Sequence, residues 1–349
     1  MKYNFDEIID RKHTSCMNTD GFRQYIFHAD ETLKFPYTDD EFIRMWIADM
    51  EFAAPDCITD AIRQRLDRKI FGYTRIFGDE YYNTFLSWTK KLYDWTFPKE
   101  NLYTSHGVIP ALYELTGYIC GPKDKVLIMT PSYAYFKYAA EHNEVEYVCS
   151  DLLNQKNDGY YEIDFEDFRG KAEDPAVKLF IFCNPHNPSG RIWSEEELHR
   201  VAEICFENGV MIISDEIHCD LIRTGCTHTP LAKLYPDSDQ IITCMAPSKT
   251  FNTAGLQFSN IIIPNEKVRK CWLKWHNFDE NPLSLAGALG AYQGGYDWLM
   301  ELRKYLDANF AFVQDYLASH LLEAVFRIPE ATYLGWVDIG AYVEEGENL

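Results

Sequence analysis

Apolar and polar residues follow two different periods along this 349-residue chain. Short, nearly continuous apolar runs predict buried strands, whereas apolar residues three or four positions apart predict amphipathic helices. Helical patterns separate several of the apolar runs, so strands and helices alternate. This alternation predicts an α/β fold with a mostly parallel sheet sandwiched by helices. The predicted strands are 102–105, 126–129, 145–148, 179–182, 210–213, 241–245 and 260–263.

Outside this alternating region, the pattern predicts further elements and a loosely packed N-terminal arm. The fourfold spacing of Ile58, Ile62, Leu66 and Ile70 predicts a helix that Gly72 ends. Ser194 precedes three glutamates, a typical start of a helix. Two more strands are predicted at 45–52 and 332–338, the second of which would begin a smaller domain. The predicted helices include 56–70, 81–93 and 297–322.

The composition is that of an ordinary globular protein with an acidic surface. A formal net charge of -21 argues against nucleic acid or an anionic membrane as a partner, because both attract basic surfaces. Ten cysteines are scattered without metal-like spacing, which indicates reduced thiols and a cytoplasmic protein. The first residues lack the apolar region of a signal peptide, and no apolar run approaches the ~20 residues of a membrane span.

Lys249 has the most informative position in the chain. It follows the predicted strand 241–245 within the segment 246–252, Ala-Pro-Ser-Lys-Thr-Phe-Asn. The end of such a strand is where α/β enzymes bind ligands, and a desolvated lysine amine there can form a Schiff base with pyridoxal phosphate (PLP). Most lysines are solvated loop residues, however, and this segment alone favours that interpretation.

Four other strand ends or turns carry residues of possible chemical use. Asn184 begins a doubled Asn-Pro loop and could hydrogen-bond a phenolate oxygen, although two Asn-Pro steps also favour a simple turn. Asp215 directly follows an apolar strand and could pair with a protonated pyridine nitrogen, or could cap a helix. Tyr133 could stack on a flat cofactor or pack in the core. Gly107 precedes a helix whose N-terminus could bind phosphate, although glycine there often serves packing alone.

The order of these features resembles that of PLP-dependent fold type I enzymes, which share the aspartate aminotransferase fold. The closer resemblance is to the MalY/PatB family, the cystathionine β-lyase or C–S lyase branch, and it extends from about residue 45 to residue 338. Related transaminases usually carry Tyr where His218 stands and Arg where Gln257 stands. The matching motifs are WIADMEF at 46–52, FGYT at 71–74, CNPHNPSG at 183–190, SDEIHCDL at 214–221, APSKTFN at 246–252 and AGLQ at 254–257.

The resemblance implies a role for each matching residue. Lys249 would bind PLP and then transfer protons, and Asp215 would keep the pyridine nitrogen protonated. Asn184 would hydrogen-bond the ring's 3-oxygen beside His218, while Tyr133 would stack on the ring. The phosphate would be bound by Gly107, Val108, Ile109 and Ser248, with Tyr73 contributed by a second subunit of a homodimer. The substrate would contact Ala48, Asp49, Asn184 and Tyr73.

The implied activity is α,β-elimination of cystathionine or a cysteine-type substrate to a thiol, pyruvate and ammonia. A class I/II aminotransferase and a non-catalytic, PLP-binding regulatory protein remain as alternatives. The implied domains are an N-terminal arm with part of the small domain (1–49), a large PLP-binding domain (50–286) and a small α+β domain (287–349). Family members carry a Phe-Arg-x-Asn-type segment whose arginine binds the substrate carboxylate, and this sequence lacks it. We therefore expect the small domain to be incomplete.

Overall fold

The computed structural model describes residues 2–29, 32–276 and 279–343 of the chain. Two compact units are distinguished, residues 1–53 and residues 54–349. The first unit contains the short helix α1, and the second contains the sheet and the remaining helices. The boundary expected near residue 286, between a large and a small domain, stays a prediction.

A mixed seven-stranded sheet forms the centre of the second unit, in the order β1-β7-β6-β5-β4-β2-β3. Strand β7 runs antiparallel to both of its neighbours, and every other pairing within this sheet in the described residues is parallel. The prediction of a mostly parallel sheet is therefore confirmed. The strands are β1 (Leu102–Ser105), β2 (Lys125–Thr130), β3 (Glu146–Asp151), β4 (Val177–Cys183), β5 (Met211–Asp215), β6 (Ile241–Met245) and β7 (Ser259–Ile262), and a separate pair is formed by β8 (Val325–Phe326) and β9 (Val337–Asp338).

Helices begin close to the positions that the sequence predicts. The Ser194 hydroxyl accepts a hydrogen bond from the backbone N–H of Glu197, whose carboxylate accepts one from the Ser194 N–H, so the predicted start of α7 is confirmed. No helix in the described ranges has the length and hydrophobicity needed to cross a bilayer. The helices are α1 (Phe22–Tyr25), α2 (Asp56–Leu66), α3 (Glu80–Tyr93), α4 (Val108–Ile119), α5 (Tyr135–His142), α6 (Phe165–Ala172), α7 (Glu195–Glu207), α8 (Leu231–Leu234), α9 (Pro247–Thr250), α10 (Glu266–Trp275), α11 (Pro282–Gly294) and α12 (Tyr296–His320).

Both faces of the sheet are buried, which explains why its strands are apolar without alternation. Successive side chains of β4 point to opposite faces, so Ile181 packs in one cluster and Phe180 in another. The Ile181 cluster includes Leu112 and Leu115 of α4, whereas the Phe180 cluster includes Phe168 of α6. These two clusters hold the ends of the strands rigidly in register.

Three sequence predictions about secondary structure were wrong in part or whole. Helix α2 ends at Leu66 rather than at residue 70, because Lys69 adopts a left-handed backbone conformation (φ 59°). The strand predicted at 332–338 is reduced to Val337–Asp338, because Thr332 has φ 71° and its N–H donates to the carbonyl of Leu221, 2.7 Å away.

The segment 45–52 was also predicted to be a strand, and it forms no strand within the described residues of the first unit. The segment has no partner strand among those residues. The Asp49 carboxylate instead accepts hydrogen bonds from Arg11 Nη2 at 2.6 Å and from Asn18 Nδ2 at 2.9 Å. Side-chain contacts therefore determine the conformation of this segment.

Candidate active site

Five of the residues predicted to carry chemistry follow strands that end at the same edge of the sheet. Gly107 follows β1, Lys249 follows β6, Asp215 ends β5, Asn184 follows β4 and Tyr133 follows β2. In the order β1-β7-β6-β5-β4-β2, these strands are neighbours except where the antiparallel β7 intervenes. Because adjacent strands lie about 5 Å apart, β1 and β6 are separated by roughly 10 Å. The part of this row from β1 to β6 thus has the dimensions of a small ligand, whereas the whole row from β1 to β2 extends over roughly 24 Å.

The backbone joins two of these positions directly, Asp215 and Asn184. Cys183 and Cys244 flank Asp215 in the strand register, and the Asn184 N–H donates to the Asp215 carbonyl at 3.0 Å. The Lys249 charge acts on two buried groups: it partly offsets the burial that raises the pKa of Asp215, and it adds to the burial that lowers the pKa of His218. The structure therefore places Lys249, Asp215, Asn184 and His218 near one another, and the roles that the resemblance implies for them stay predictions.

Asp215 is an acid in an environment that disfavours its charge. It is 4% exposed, and burial raises its pKa to about 7, with a further rise from the adjacent Glu216. The Ile217 N–H, which donates to Asp215 Oδ1 at 3.1 Å, and the Lys249 charge act in the opposite direction. The residue ends a strand and does not cap a helix, so the alternative interpretation from the sequence does not apply. A cationic partner would favour its ionised form.

His218 is a buried histidine that stays neutral at neutral pH. Burial, followed by the charge of Lys249, lowers its pKa to about 3. Its Nδ1 atom is buried and finds no hydrogen-bond partner among the described residues. The ring of Tyr333 lies edge-on to the imidazole, with centroids 6.1 Å apart. His218 is thus not a core histidine with both nitrogens satisfied.

Asn184 is fully buried, and its amide is held by one hydrogen bond. Nδ2 donates to the carbonyl of Thr229 at 3.3 Å, whereas Oδ1 has no partner within the described part of the chain. The amide nitrogen carries a second hydrogen that a ligand oxygen could accept. A buried polar atom without a partner costs about 1–3 kcal/mol, so this geometry favours a bound polar ligand.

The turn between β1 and α4 has the backbone of an anion-binding site. Gly107 has φ 128°, a conformation that side chains rarely adopt, and it offers no side chain to cap α4. The N–H groups of Val108 and Ile109 therefore lie at an uncapped, positively polarised helix end. The Val108 side chain is buried in the core, which leaves only its backbone for such a role. Ser248 is half-buried beside Lys249 on α9.

The remaining predicted residues lie in three different settings. Tyr133 is half-buried, and its ring stacks on Tyr135 with centroids 5.1 Å apart and planes inclined by 29°. Tyr73 is 97% exposed. Ala48 and Asp49 belong to the first unit, where Asp49 pairs with Arg11. The roles predicted for these four residues stay predictions.

Sequence reasoning missed a buried polar network directly behind the site. Glu216 is fully buried, and its carboxylate accepts hydrogen bonds from Ser214 Oγ at 2.8 Å and from the Leu231 N–H at 3.0 Å, and contacts His228 Nε2 at 2.9 Å. Asp220 is also buried, 3% exposed. The sequence contained a signal for both, because three carboxylates within six residues of a buried strand require partners.

The sequence matches a known enzyme family along most of its length. The model of the family "Aminotransferase class I and II" matches residues 41–346. The chain belongs to this family. Cystathionine β-lyase PatB of Bacillus subtilis is 41% identical over 303 residues, which cover 85% of this chain and 78% of PatB. Protein MalY of Escherichia coli is 30% identical, over 97% of this chain and 84% of MalY.

A solved structure of a family member has the same fold. The PLP-bound C–S lyase from Staphylococcus hominis matches with a TM-score of 0.92 and 52% identity, over 98% of this chain and 84% of that chain. The resemblance to the MalY/PatB group and the aspartate aminotransferase-like fold of this class I and II family member are therefore confirmed.

Proposed function

We propose that the protein is a PLP-dependent carbon–sulfur β-lyase that converts cystathionine, or another small sulfur-containing amino acid, to a thiol, pyruvate and ammonia. One observation carries the proposal: a buried carboxyl group, Asp215, lies within electrostatic range of the Lys249 amine at the ends of adjacent parallel strands. The names of PatB and of the Staphylococcus hominis C–S lyase support this reaction class.

The residues at this edge of the sheet fit pyridoxal phosphate. The buried Asp215 carboxyl suits a protonated pyridine nitrogen, since a cation would offset the cost of its burial. Asn184 Oδ1 and His218 Nδ1, both buried and without partners among the described residues, suit a polar ring. The uncapped N-terminus of α4 behind Gly107 suits a phosphate. When bound, PLP supplies an electron-withdrawing ring conjugated to the substrate amine.

The protein's own groups then have defined tasks. Lys249 Nζ would hold the cofactor and take the proton from the substrate Cα, and this proton would pass to the departing thiolate or to solvent. Asp215, as a carboxylate, would keep a proton on the pyridine nitrogen, and Asn184 Nδ2 would donate a hydrogen bond to the 3-oxygen. Since the low pKa of His218 keeps it neutral at pH 7, it adds no second positive charge beside Lys249.

Tyr133 and the phosphate-binding groups orient the substrate complex. Tyr133 would stack on the ring, and the N–H groups of Gly107, Val108 and Ile109 would bind the phosphate together with the Ser248 hydroxyl. With the cofactor held in this way, the Cα–H bond of the substrate would face Lys249, which would lower the barrier to proton removal through orientation. In the overall reaction the Cα–H and Cβ–S bonds break, the thiolate departs with the bonding electron pair, and water converts the remaining fragment to pyruvate and ammonia.

We further propose a homodimer in the cytoplasm. Tyr73 is almost fully exposed, so it is available to reach the phosphate site of a second subunit. The ten cysteines form no disulfide among the described residues, which suits a reducing compartment.

The test is a product assay without an acceptor for the amino group. We expect the PLP-loaded protein, incubated with L-cystathionine, to release pyruvate and thiol in equal amounts. Strict dependence on a keto acid would instead identify an aminotransferase. Bound PLP with no product from cystathionine or cysteine would identify a non-catalytic protein.

Lys249→Ala provides the site-specific test of the same proposal. We expect loss of turnover and of the visible absorbance of the lysine-linked cofactor. Lys304→Ala, on the exposed face of α12, is the matched control and should retain both. Retention of turnover by Lys249→Ala would refute the site assignment.

A further inference from the structure

The helix that carries Lys249 is too short to hold its own position. Helix α9 contains only four residues, Pro247–Thr250, and one turn of helix is not stable in isolation. Within the described residues, the Phe251 N–H closes it by donating to the Pro247 carbonyl at 2.9 Å. The direction of the Lys249 side chain must therefore depend on contacts that α9 makes with other elements.

One such contact comes from the residue next to Lys249. Thr250 is fully buried, and its hydroxyl donates to Asp220 Oδ2 at 2.7 Å. The Asp220 carboxylate is itself held by two side chains of α3. Trp88 Nε1 donates to Oδ1 at 3.3 Å, and the Tyr93 hydroxyl donates to the same oxygen. Burial, followed by the charge of Asp220, raises the pKa of Tyr93, so Tyr93 remains a donor at all physiological pH values.

The backbone of Asp220 is anchored as well. Its carbonyl accepts a hydrogen bond from Arg303 Nε of α12 at 2.7 Å. Two overlapping turns also hold this stretch. The Cys219 N–H donates to the Glu216 carbonyl and the Leu221 N–H donates to the His218 carbonyl, each at 3.0 Å. The loop that leaves β5 at Asp215 is therefore rigid up to Asp220.

This arrangement connects the two principal residues of the proposed site, Asp215 and Lys249. Asp215 and Asp220 lie five residues apart on one loop, and a single hydrogen bond leads from Asp220 to the residue that follows Lys249. Burying a carboxylate costs desolvation free energy, and a well-packed apolar group of similar size often gives a protein of equal stability. An acid at this place is therefore explained better by geometry than by stability.

We propose that Asp220 is a positioning residue for Lys249: held by Tyr93 and Trp88, it anchors Thr250 and so sets the lysine amine against the cofactor pocket. This inference rests on the proposed function. The role differs from that of Asp215, because Asp220 acts through Thr250.

The experiment compares isosteric variants of the PLP-loaded protein. Thr250→Val removes the hydroxyl, and Thr250→Ser restores it. We expect Thr250→Val to lower kcat by about 10- to 100-fold with KM changed less than about 3-fold, since a small displacement of a reacting group impairs chemistry more than binding. The visible absorbance and the fraction of cofactor trapped on Lys249 by borohydride should also fall. Thr250→Ser should recover kcat, absorbance and trapping to within about 3-fold of the wild type.

Thr89→Val is the matched control. Its buried hydroxyl donates to the carbonyls of Leu86 and Trp95, at 3.1 and 3.0 Å, and makes no hydrogen bond to α9 within the described part of the chain. It should lower the melting temperature while kcat and the absorbance stay at wild-type values. Thr250→Ala, which also removes the hydroxyl that donates to Asp220, should reproduce the loss of kcat if Thr250→Val fails to fold.

The outcomes separate the two proposals. Wild-type levels of trapping and kcat in Thr250→Val, or an equal loss of kcat in Thr89→Val, would overturn the positioning role and leave the lyase assignment intact. A wild-type protein that forms no trappable bond between PLP and Lys249 would overturn the proposed function, and the positioning role with it.

Discussion

Replacing Asp215 with Asn should stabilise the cofactor-free protein at pH 8 while nearly abolishing lyase activity. Burial raises the pKa of Asp215 from 3.8 to about 7, so the ionised group is disfavoured in the folded state. The difference corresponds to about 4 kcal/mol of unfolding free energy. Asn has nearly the same shape but no charge to bury. Without the carboxylate, however, the pyridine nitrogen of bound PLP loses its anionic partner, and we expect kcat to fall about 100-fold or more.

The sign of the pH dependence follows from proton binding. The folded protein retains the Asp215 proton up to about pH 7, whereas the unfolded chain releases it near pH 3.8. Between these values the folded state binds more protons, so the free energy of unfolding falls as the pH rises. The contribution of the Asp215 proton to the free energy of unfolding is therefore complete below pH 3.8 and is lost above pH 7. The difference in unfolding free energy between Asp215→Asn and the wild type should therefore grow from about pH 4 to pH 7 and then stay constant.

Thermal unfolding from pH 4 to 9, with and without PLP, measures this effect. For a chain of 349 residues, about 4 kcal/mol corresponds to a shift in Tm of roughly 6 °C. PLP should reduce or reverse the difference, because its protonated ring nitrogen compensates the carboxylate. Asp315→Asn, on an exposed position of α12, is the control and should change Tm at no pH. The reasoning would be refuted if the difference in Tm between Asp215→Asn and the wild type did not depend on pH. It would also be refuted if Asp215→Asn were less stable than the wild type at pH 8 without cofactor.

Three further predictions address the phosphate site, the dimer and the fold. Gly107→Ala should weaken PLP binding about 10-fold in a spectroscopic titration, because an alanine at φ 128° is strained; unchanged affinity would remove Gly107 from the phosphate site. Mixed and refolded Tyr73→Phe and Lys249→Ala proteins should recover about a quarter of wild-type activity, since half of the dimers are hybrids with one intact site; no recovery would argue against a shared site. Ser194→Ala should cost about 1 kcal/mol through loss of the capping box and lower Tm by roughly 1–2 °C, with kcat unaffected; a change in kcat would contradict a purely structural role.

Much of the candidate site could be predicted because it depends on local sequence. An apolar run followed by a single polar residue predicts both a buried strand and the residue at its end, as at Ile213 and Asp215. The parallel arrangement then places successive strand ends at one edge of the sheet. The same reasoning failed at residues 45–52, where the local pattern predicts a strand but pairing depends on whether a partner strand is present.

The network around Asp220 could not be predicted for a different reason. Trp88 and Tyr93 lie more than 100 positions before Asp220, and Thr250 lies 30 positions after it. No periodicity relates residues so far apart. Only the packing of α3 and α9 against the loop after β5 decides that their polar groups converge on one carboxylate.

The sequence by itself determined the seven strands of the central sheet, most of the helices and the chemical identity of the groups at the strand ends, because these follow from short-range periodicity and from the cost of burying polar atoms. The tertiary structure alone decided how strongly Asp215 resists ionisation, which atoms of Asn184 and His218 lack partners, and what holds Lys249 in place. These properties arise from burial and from contacts between distant segments, and both exist only once the chain has packed.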